Sequence, residues 1–293
     1  INYSWKRIHR IYPLNWFIHL QRHRLICQQK IYKINLKKIR WPFSLQRSPD
    51  HMMNDISWLS RTTLLIGEEK LRRLNEAHVL ILGMGGVGSF AAEFICRSGI
   101  GHMTIIDGDV VDPTNRNRQL PALAINHGVS KADIMAERLL AINPELSLTV
   151  IKEFINPEMV DTLFETKHDY IIDAIDSITP KLTLLKKAYE KKCKVVSSMG
   201  AGAKLDPTKL QVTDISKTYN CPFAQQIRKT LKKDGIYKGI KVVFSPEEPI
   251  KESLMLTDGR NYKKSAYGTI SYLPATFGAV LSSVVIRDLL DLG

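Results

Sequence analysis

Four groups of residues with chemical potential stand in order along the 293-residue chain. The first is the glycine run Gly83-Met84-Gly85-Gly86-Val87-Gly88. The second runs from Asp107-Gly108-Asp109 to Asn115-Arg116-Asn117-Arg118-Gln119. The third is Gly128-Val129-Ser130-Lys131-Ala132, and the fourth is Asp173-Ala174-Ile175-Asp176-Ser177. Glycines at the first spacing let backbone N–H groups approach a phosphate at the positive end of a helix. An acid closing the next strand can meet ribose hydroxyls, and Asp107 falls 24 residues after Gly83. A glycine turn with one acid also describes an NAD-dependent oxidoreductase. The crowd of amides and arginines from Asn115 to Gln119, with Lys131 beyond it, opposes that reading. Such groups suit the neutralisation of charge on a reacting phosphate.

These residues need a scaffold that brings separate loops together. The glycine run follows the aliphatic stretch His78–Leu82 and precedes a helical pattern, which reads as strand, tight turn and helix. Strand-like runs recur at 78–83, 102–107, 147–152, 169–174, 194–199, 209–215 and 240–245. Helical patterns fall at 87–98, 130–142, 156–166, 179–192 and 222–234. This alternation predicts an α/β fold: a Rossmann-like, mostly parallel sheet covered by helices on both faces. Ligands then bind at the carboxyl ends of the strands. A single amphipathic approach helix is expected over 57–75, with Leu64, Leu65, Leu71 and Leu74 as its apolar stripe. Residues 200–203, Gly-Ala-Gly-Ala, read as a flexible hinge and 246–265 as a polar loop. The apolar stretch 269–292 could span a membrane. Pro274, Gly278, Ser282, Ser283 and Arg287 favour instead a C-terminal helix buried against the sheet, with no membrane span.

Charge is unevenly placed. The chain's formal net charge is +13, yet residues 1–52 carry 11 Lys/Arg and the single acid Asp50. That segment compares with a targeting peptide, a nucleic-acid-binding arm, or upstream sequence outside the native chain. Met52 and Met53 precede an ordinary domain start, so the third reading is expected, with disorder or poor packing. The expected division is therefore 1–52 as a basic extension and 53–293 as the functional domain. The four cysteines, Cys27, Cys96, Cys193 and Cys221, form no CxxC pair. This argues against a zinc knuckle or disulfide framework and fits a reducing cytoplasm.

The motifs GxGGxG, DxDxVxxxNxxRQ, GxxKA and DxxD, all present in order, resemble those of the adenylating enzymes related to ubiquitin-activating proteins. The resemblance covers residues 57–293. Within that superfamily the body is most similar to the tRNA threonylcarbamoyladenosine dehydratase family. Pro180-Lys181, Asp206-Pro207-Thr208, Gln211-Val212-Thr213-Asp214, Ser216-Lys217-Thr218, Val243-Phe244-Ser245 and Gly268-Thr269-Ile270-Ser271 carry that likeness.

The resemblance implies an ATP-dependent ring closure on a modified adenosine beside the tRNA anticodon, through adenylation of its threonyl carboxylate. It implies ATP contacts at Gly83, Gly85, Gly86, Gly88, Asp107, Asp109, Asn115, Arg118, Gln119, Lys131 and Asp176. Arg118, Lys131 and Asp176 would be catalytic, with Asp176 holding Mg²⁺ or organising the phosphate. It also implies a homodimer, and leaves open whether Arg116 or Arg118 acts across it. Lys217, Arg228, Lys229, Lys232 and Lys233 form a basic cluster that could meet tRNA phosphates, although a charged helix face is commonly only solvated. The alternative is an adenylase for a small sulfur-carrier protein. Such enzymes usually carry zinc on paired CxxC motifs, which are missing, so no zinc is expected. Cys221 is the one candidate for a thioester, but no base or activating pattern accompanies it.

Overall fold

The structure, a computed structural model, describes residues 56–256 and 265–292, and the expectations for residues 1–52 lie outside them. Among the described residues there are eight α-helices: α1 (Ser60–Ile66), α2 (Glu68–Glu76), α3 (Gly88–Arg97), α4 (Lys131–Ile142), α5 (Pro157–Leu163), α6 (Ile178–Glu190), α7 (Pro222–Lys233) and α8 (Tyr272–Leu289). The main strands are β1 (His78–Leu82), β2 (His102–Ile106), β3 (Ser147–Ile151), β4 (Tyr170–Asp173), β5 (Val195–Ser198), β6 (Gln211–Asp214) and β7 (Lys241–Phe244). They form one seven-stranded sheet in the order β3-β2-β1-β4-β5-β7-β6. All neighbours pair in parallel except β6 with β7.

The strands are aliphatic on both faces because both are covered. Val79, Ile81, Ile105 and Ile172 pack towards α3, α4 and α8. Leu80, Leu82, Ile106 and Ile171 face the layer of α5, α6 and α7. The strand order reverses between β1 and β4, so a crevice opens at their carboxyl ends.

Three local expectations need correction. The approach helix is two helices, because Gly67 turns to φ 84° between α1 and α2. The break rotates α1 away from the core. Leu64 and Leu65 are 88% and 85% exposed, while Leu71 and Leu74 are buried. The stretch expected as a polar loop holds β8 (Leu254–Leu256), paired antiparallel with β9 (Ser265–Tyr267). The expected hinge at 200–203 is tied down by its backbone. Ala203 donates its N–H to the Gly268 carbonyl at 2.8 Å and accepts from Ile250 N–H at 2.9 Å.

The C-terminal α8 is buried along Leu273, Phe277, Leu281 and Val285. No described helix is long and apolar enough to cross a membrane. The helix runs close beside α3. A Cβ at Gly278 would stand 2.6 Å from the Val87 carbonyl oxygen and 2.9 Å from Ala91 N. Both are backbone atoms and cannot swing aside. Gly278→Ala should therefore lose about 1–3 kcal/mol to overpacking, more than the ~1 kcal/mol that alanine gains in a helix. Urea unfolding tests the sign; unchanged or increased stability refutes the close contact.

At the amino end of the sheet, His78 and His168 place their ring centroids 4.5 Å apart. Burial, then the neighbouring His78, pushes His168 from 6.5 down to about 4. Burial and His102 lower His78 in the same way, against the opposing pull of Asp169. These histidines stay neutral in the fold while the unfolded chain takes up protons. Stability should therefore fall as pH drops from about 6.5 towards 4. His168→Gln should flatten the urea midpoint across that window; an identical slope in the variant refutes this account.

Candidate active site

The glycine turn is built by close backbone approach. Gly83 adopts φ 94°, and its N–H reaches the Ile106 carbonyl at 2.8 Å. A Cβ at Gly83 would lie 2.9 Å from the Ala174 carbonyl oxygen, and one at Gly88 would collide with the Gly83 carbonyl oxygen. Gly86 fits between Pro274 and Arg118, at 3.1 Å and 3.3 Å from where its Cβ would stand. No side chain caps the first turn of α3. Its amino end therefore keeps the partial positive charge that suits an anion.

Asp107 directly follows β2 and is buried. Its Oδ2 accepts Met84 N–H at 2.6 Å and its Oδ1 accepts Asp109 N–H at 2.7 Å. Burial pushes this carboxyl above the usual range, and Lys131 pulls the other way. Lys131 opens α4 and is 4% exposed. Its Nζ donates to Asp109 Oδ2 at 2.9 Å, and Asp109 itself is half exposed. Asp107 thus ties the glycine turn to the lysine loop.

The loop after Asp109 is shaped from within. Asn115 is buried, and its Oδ1 accepts Asp112 N–H at 3.2 Å in a reciprocal cap with Asp112. Arg118 donates to the Thr114 carbonyl at 3.0 Å and to Asn117 Oδ1 at 2.8 Å. Burial lowers the Arg118 pKa, and Asp176 opposes that shift. Gln119 lies beside Gly85, and its Oε1 is buried without a hydrogen-bond partner among the described residues. Such an orphaned acceptor and the cradle of glycines are what a bound nucleotide would complete. Arg116 is exposed.

The fourth group lies where β4 ends. Ala174 walls the glycine turn, and Asp176 is exposed and within electrostatic reach of Arg118 and Lys181. Arg118 therefore lies against Gly86, Asp176 lies within electrostatic reach of Arg118, and Lys131 lies within reach of Asp107, which accepts Met84 N–H in the glycine turn. The sequence reading missed one feature here. Lys181 is 0% exposed and donates to Asp173 Oδ2 at 2.6 Å. Its spacing from Leu184, Leu185 and Ala188 puts it on the buried stripe of α6, a signal present in the sequence.

The basic cluster is not uniform. Lys217, Lys229, Lys232 and Lys233 are exposed. Arg228 instead turns inward, donating to the Thr218 carbonyl at 2.6 Å and to Thr218 Oγ1. Cys221 is buried at the start of α7, a poor position for a thiol that must meet another protein. Among the described residues, no group of three or more His, Cys, Asp or Glu is arranged to hold a metal.

A mostly parallel sheet with a glycine turn at its switch point and an acid directly after β2 defines a Rossmann-like α/β protein, a class that binds ligands at the carboxyl ends of its strands. The ThiF family matches residues 59–292, and the chain belongs to that family. The tRNA threonylcarbamoyladenosine dehydratase of Bacillus subtilis is 41% identical over 238 residues, 79% of this chain and 94% of that protein. The crystal structure of Escherichia coli tRNA N6-threonylcarbamoyladenosine dehydratase in complex with ATP superposes with TM-score 0.74 at 38% identity, covering 82% of this chain and 97% of that one. The same enzyme in complex with AMP gives TM-score 0.74 at 39% identity, with the same coverage.

The glycines separate into two kinds. A Cβ at Gly85 would meet only Gln119 Nε2, at 3.9 Å, whereas one at Gly88 meets backbone. Gly85→Ala should leave the melting temperature unchanged. Gly88→Ala should lower it and weaken ATP binding at least about tenfold, or ~1.4 kcal/mol. Thermal melts with ATP titration calorimetry check this; equal behaviour of the two variants counts against the turn geometry.

Proposed function

We propose that this protein is an ATP-dependent tRNA-modifying enzyme that cyclises the threonylcarbamoyl side chain of an adenosine beside the anticodon, with net loss of water. The observation that supports the reading is the glycine turn at the β1–β4 crevice, with Arg118 against Gly86, Asp176 in electrostatic reach of Arg118, and Lys131 in reach of Asp107. The shared names of relatives at about 40% identity support the same substrate.

The chemistry follows from the side chain itself. A carboxylate resists attack because its leaving group would be oxide. Its oxygen first attacks the α-phosphorus of ATP and expels pyrophosphate, giving an acyl adenylate. The carbamoyl group of the same side chain then attacks the activated carbonyl and expels AMP. Ring closure is intramolecular, so positioning contributes more than a protein nucleophile would. Lys131 and Arg118 neutralise charge developing on the phosphate. Asp107 takes the ribose hydroxyls, while Asp109, Asn115 and Gln119 hold the loops around the nucleotide. Asp176 is the oxygen donor suited to Mg²⁺, an ion that typically takes one or two carboxylates and fills its shell from water and substrate phosphates.

Lys217, Lys229, Lys232 and Lys233 are the exposed cations we assign to tRNA phosphates, without Arg228. We read residues 53–293 as the adenylating domain, acting as a homodimer in the cytoplasm.

The direct test is mass analysis of nucleosides after incubation with ATP, Mg²⁺ and tRNA carrying the threonylcarbamoyl modification. One water should be lost from that nucleoside. Lys131→Ala and Asp176→Ala should each slow this by roughly 10²-fold or more. Lys131→Ala leaves Asp109 in solvent but removes the cation that opposes burial of Asp107, and Asp176→Ala removes a carboxylate near Arg118 and Lys181, so each variant is first shown to be folded by its thermal melt. Near-normal rates in folded variants remove these roles, and no mass change with the wild type removes the reaction.

A further inference from the structure

Lys181 and Asp173 are both 0% exposed, an ion pair sealed beneath the loop that carries Asp176. The Lys181 ammonium donates to Asp173 Oδ2 at 2.6 Å, to Ser197 Oγ at 3.1 Å and to the Ser198 carbonyl at 3.1 Å. Ser197 Oγ also donates to Asp173 Oδ2 at 2.6 Å. The Phe223 ring closes the other side, with its centroid 5.7 Å from Nζ. All three ammonium protons have acceptors. Even so, desolvating two charges is expensive, and a well-packed apolar pair is often as stable or more so. Stability alone does not account for a buried pair at this place.

Geometry offers a stronger reason. Asp173 Oδ1 accepts Ile175 N–H at 3.1 Å, which bends the chain directly after β4. That bend sets the Ala174 carbonyl against Gly83 and sends Asp176 towards the nucleotide side. Asp176 lies within electrostatic reach of Lys181 from α6 and of Arg118 from the loop before α4. One end of the network is therefore locked in the sheet, and the other presents a carboxylate at the site.

We propose that Lys181, together with Asp173, is a positioning pair for the reaction, acting through Asp176 by holding its carboxylate opposite Arg118. This rests on the reaction assigned above and adds two residues that touch neither substrate nor nucleotide.

The test is a mutant cycle in single-turnover rates of nucleoside cyclisation. Asp173→Asn/Lys181→Met removes both charges and keeps an amide oxygen for Ile175 N–H. It should fold, with the single-turnover rate and kcat down about tenfold or more and the KM for ATP within about twofold, the pattern of a lost transition-state interaction. Asp176→Glu keeps the carboxylate but displaces it, so residual turnover can be followed. Combined with the pair change, it should be no slower than Asp176→Glu alone, while the shifts in melting temperature still add. A merely structural pair predicts rate losses that multiply, and that result overturns the proposal, as does an unchanged kcat. If the pair variant does not fold, Lys181→Arg, which keeps the cation in altered geometry, completes the same cycle. A wild type that cyclises nothing refutes the reaction itself, whereas an active wild type with multiplying losses refutes only the positioning role.

Discussion

No side chain can exist at position 88 while the chain keeps this shape. The first residue of α3 sits on the carbonyl of Gly83, and the turn between them sits on Ala174 at the end of β4. That double approach sets how near the amino end of α3 comes to the Asp173–Ser177 loop. A third contact closes the arrangement. Pro274 at the start of α8 packs on Gly86, and the Thr269 carbonyl just before it accepts Asn117 Nδ2 at 2.8 Å. Gly278 lets α8 lie close enough to α3 for this to happen. The phosphate turn is thus gripped by β4, by the Arg118 loop and by α8. At Gly83, Gly88 and Gly278 an added methyl would have to displace backbone, and at Gly86 it would press on the Pro274 side chain and the Arg118 carbonyl.

Around this frame, burial and charge oppose one another. Burial alone raises the Asp107 carboxyl and lowers the cations of Arg118 and Lys181. In each case a neighbour of opposite sign pulls back: Lys131 for Asp107, Asp176 for Arg118 and Asp173 for Lys181. The partners differ in exposure. Asp109, which holds Lys131, and Asp176, which faces Arg118, both reach solvent, whereas Asp173 does not. An anion that displaces Asp109 or Asp176 returns a carboxylate to water at little cost, while displacing Asp173 would strand a buried charge. The two outer pairs each keep one member in water and the inner pair keeps none, the difference expected between groups that bind and a group that positions them.

Much of this was legible from residue order. The strands announced themselves as aliphatic runs, so the sheet could be read directly, and the motifs named the candidate residues that lie in the loops at its carboxyl ends. What failed was three-dimensional commitment. Nothing local distinguishes Arg228, bonded to Thr218, from Lys229 beside it, because a charged helix reads the same whether its guanidinium turns in or out. Leu64 and Leu65 looked like core because Gly67 within a helical pattern reads as tolerated, yet its φ of 84° turns their helix outward. Lys181 carries part of the family likeness but was given no role, for the opposite reason. A lysine on an apolar stripe conflicts with burial until its acid, eight residues away at the end of a strand, is placed beneath it.

Open volume is found at the opposite edge of the sheet as well. Depressions of about 540 and 530 Å³ lie at the amino ends of the strands, lined by Tyr170, Cys193, Lys194, Lys241 and Asp288, and by Arg73, His168 and Asp169. Yet the polar groups there are spent on each other: Tyr170 and Lys241 both donate to Asp288, at 2.6 and 2.5 Å, and Arg73 donates to the Leu289 carbonyl and Asp291, each at 2.7 Å. At the carboxyl ends, the α3 turn lacks a side-chain cap and Gln119 Oε1 lacks a partner among the described residues. Parallel strands aim every crossover helix the same way, so amino ends of helices gather at one edge of the sheet only. Unsatisfied backbone and side-chain groups, more than empty volume, therefore mark the face where a nucleotide belongs.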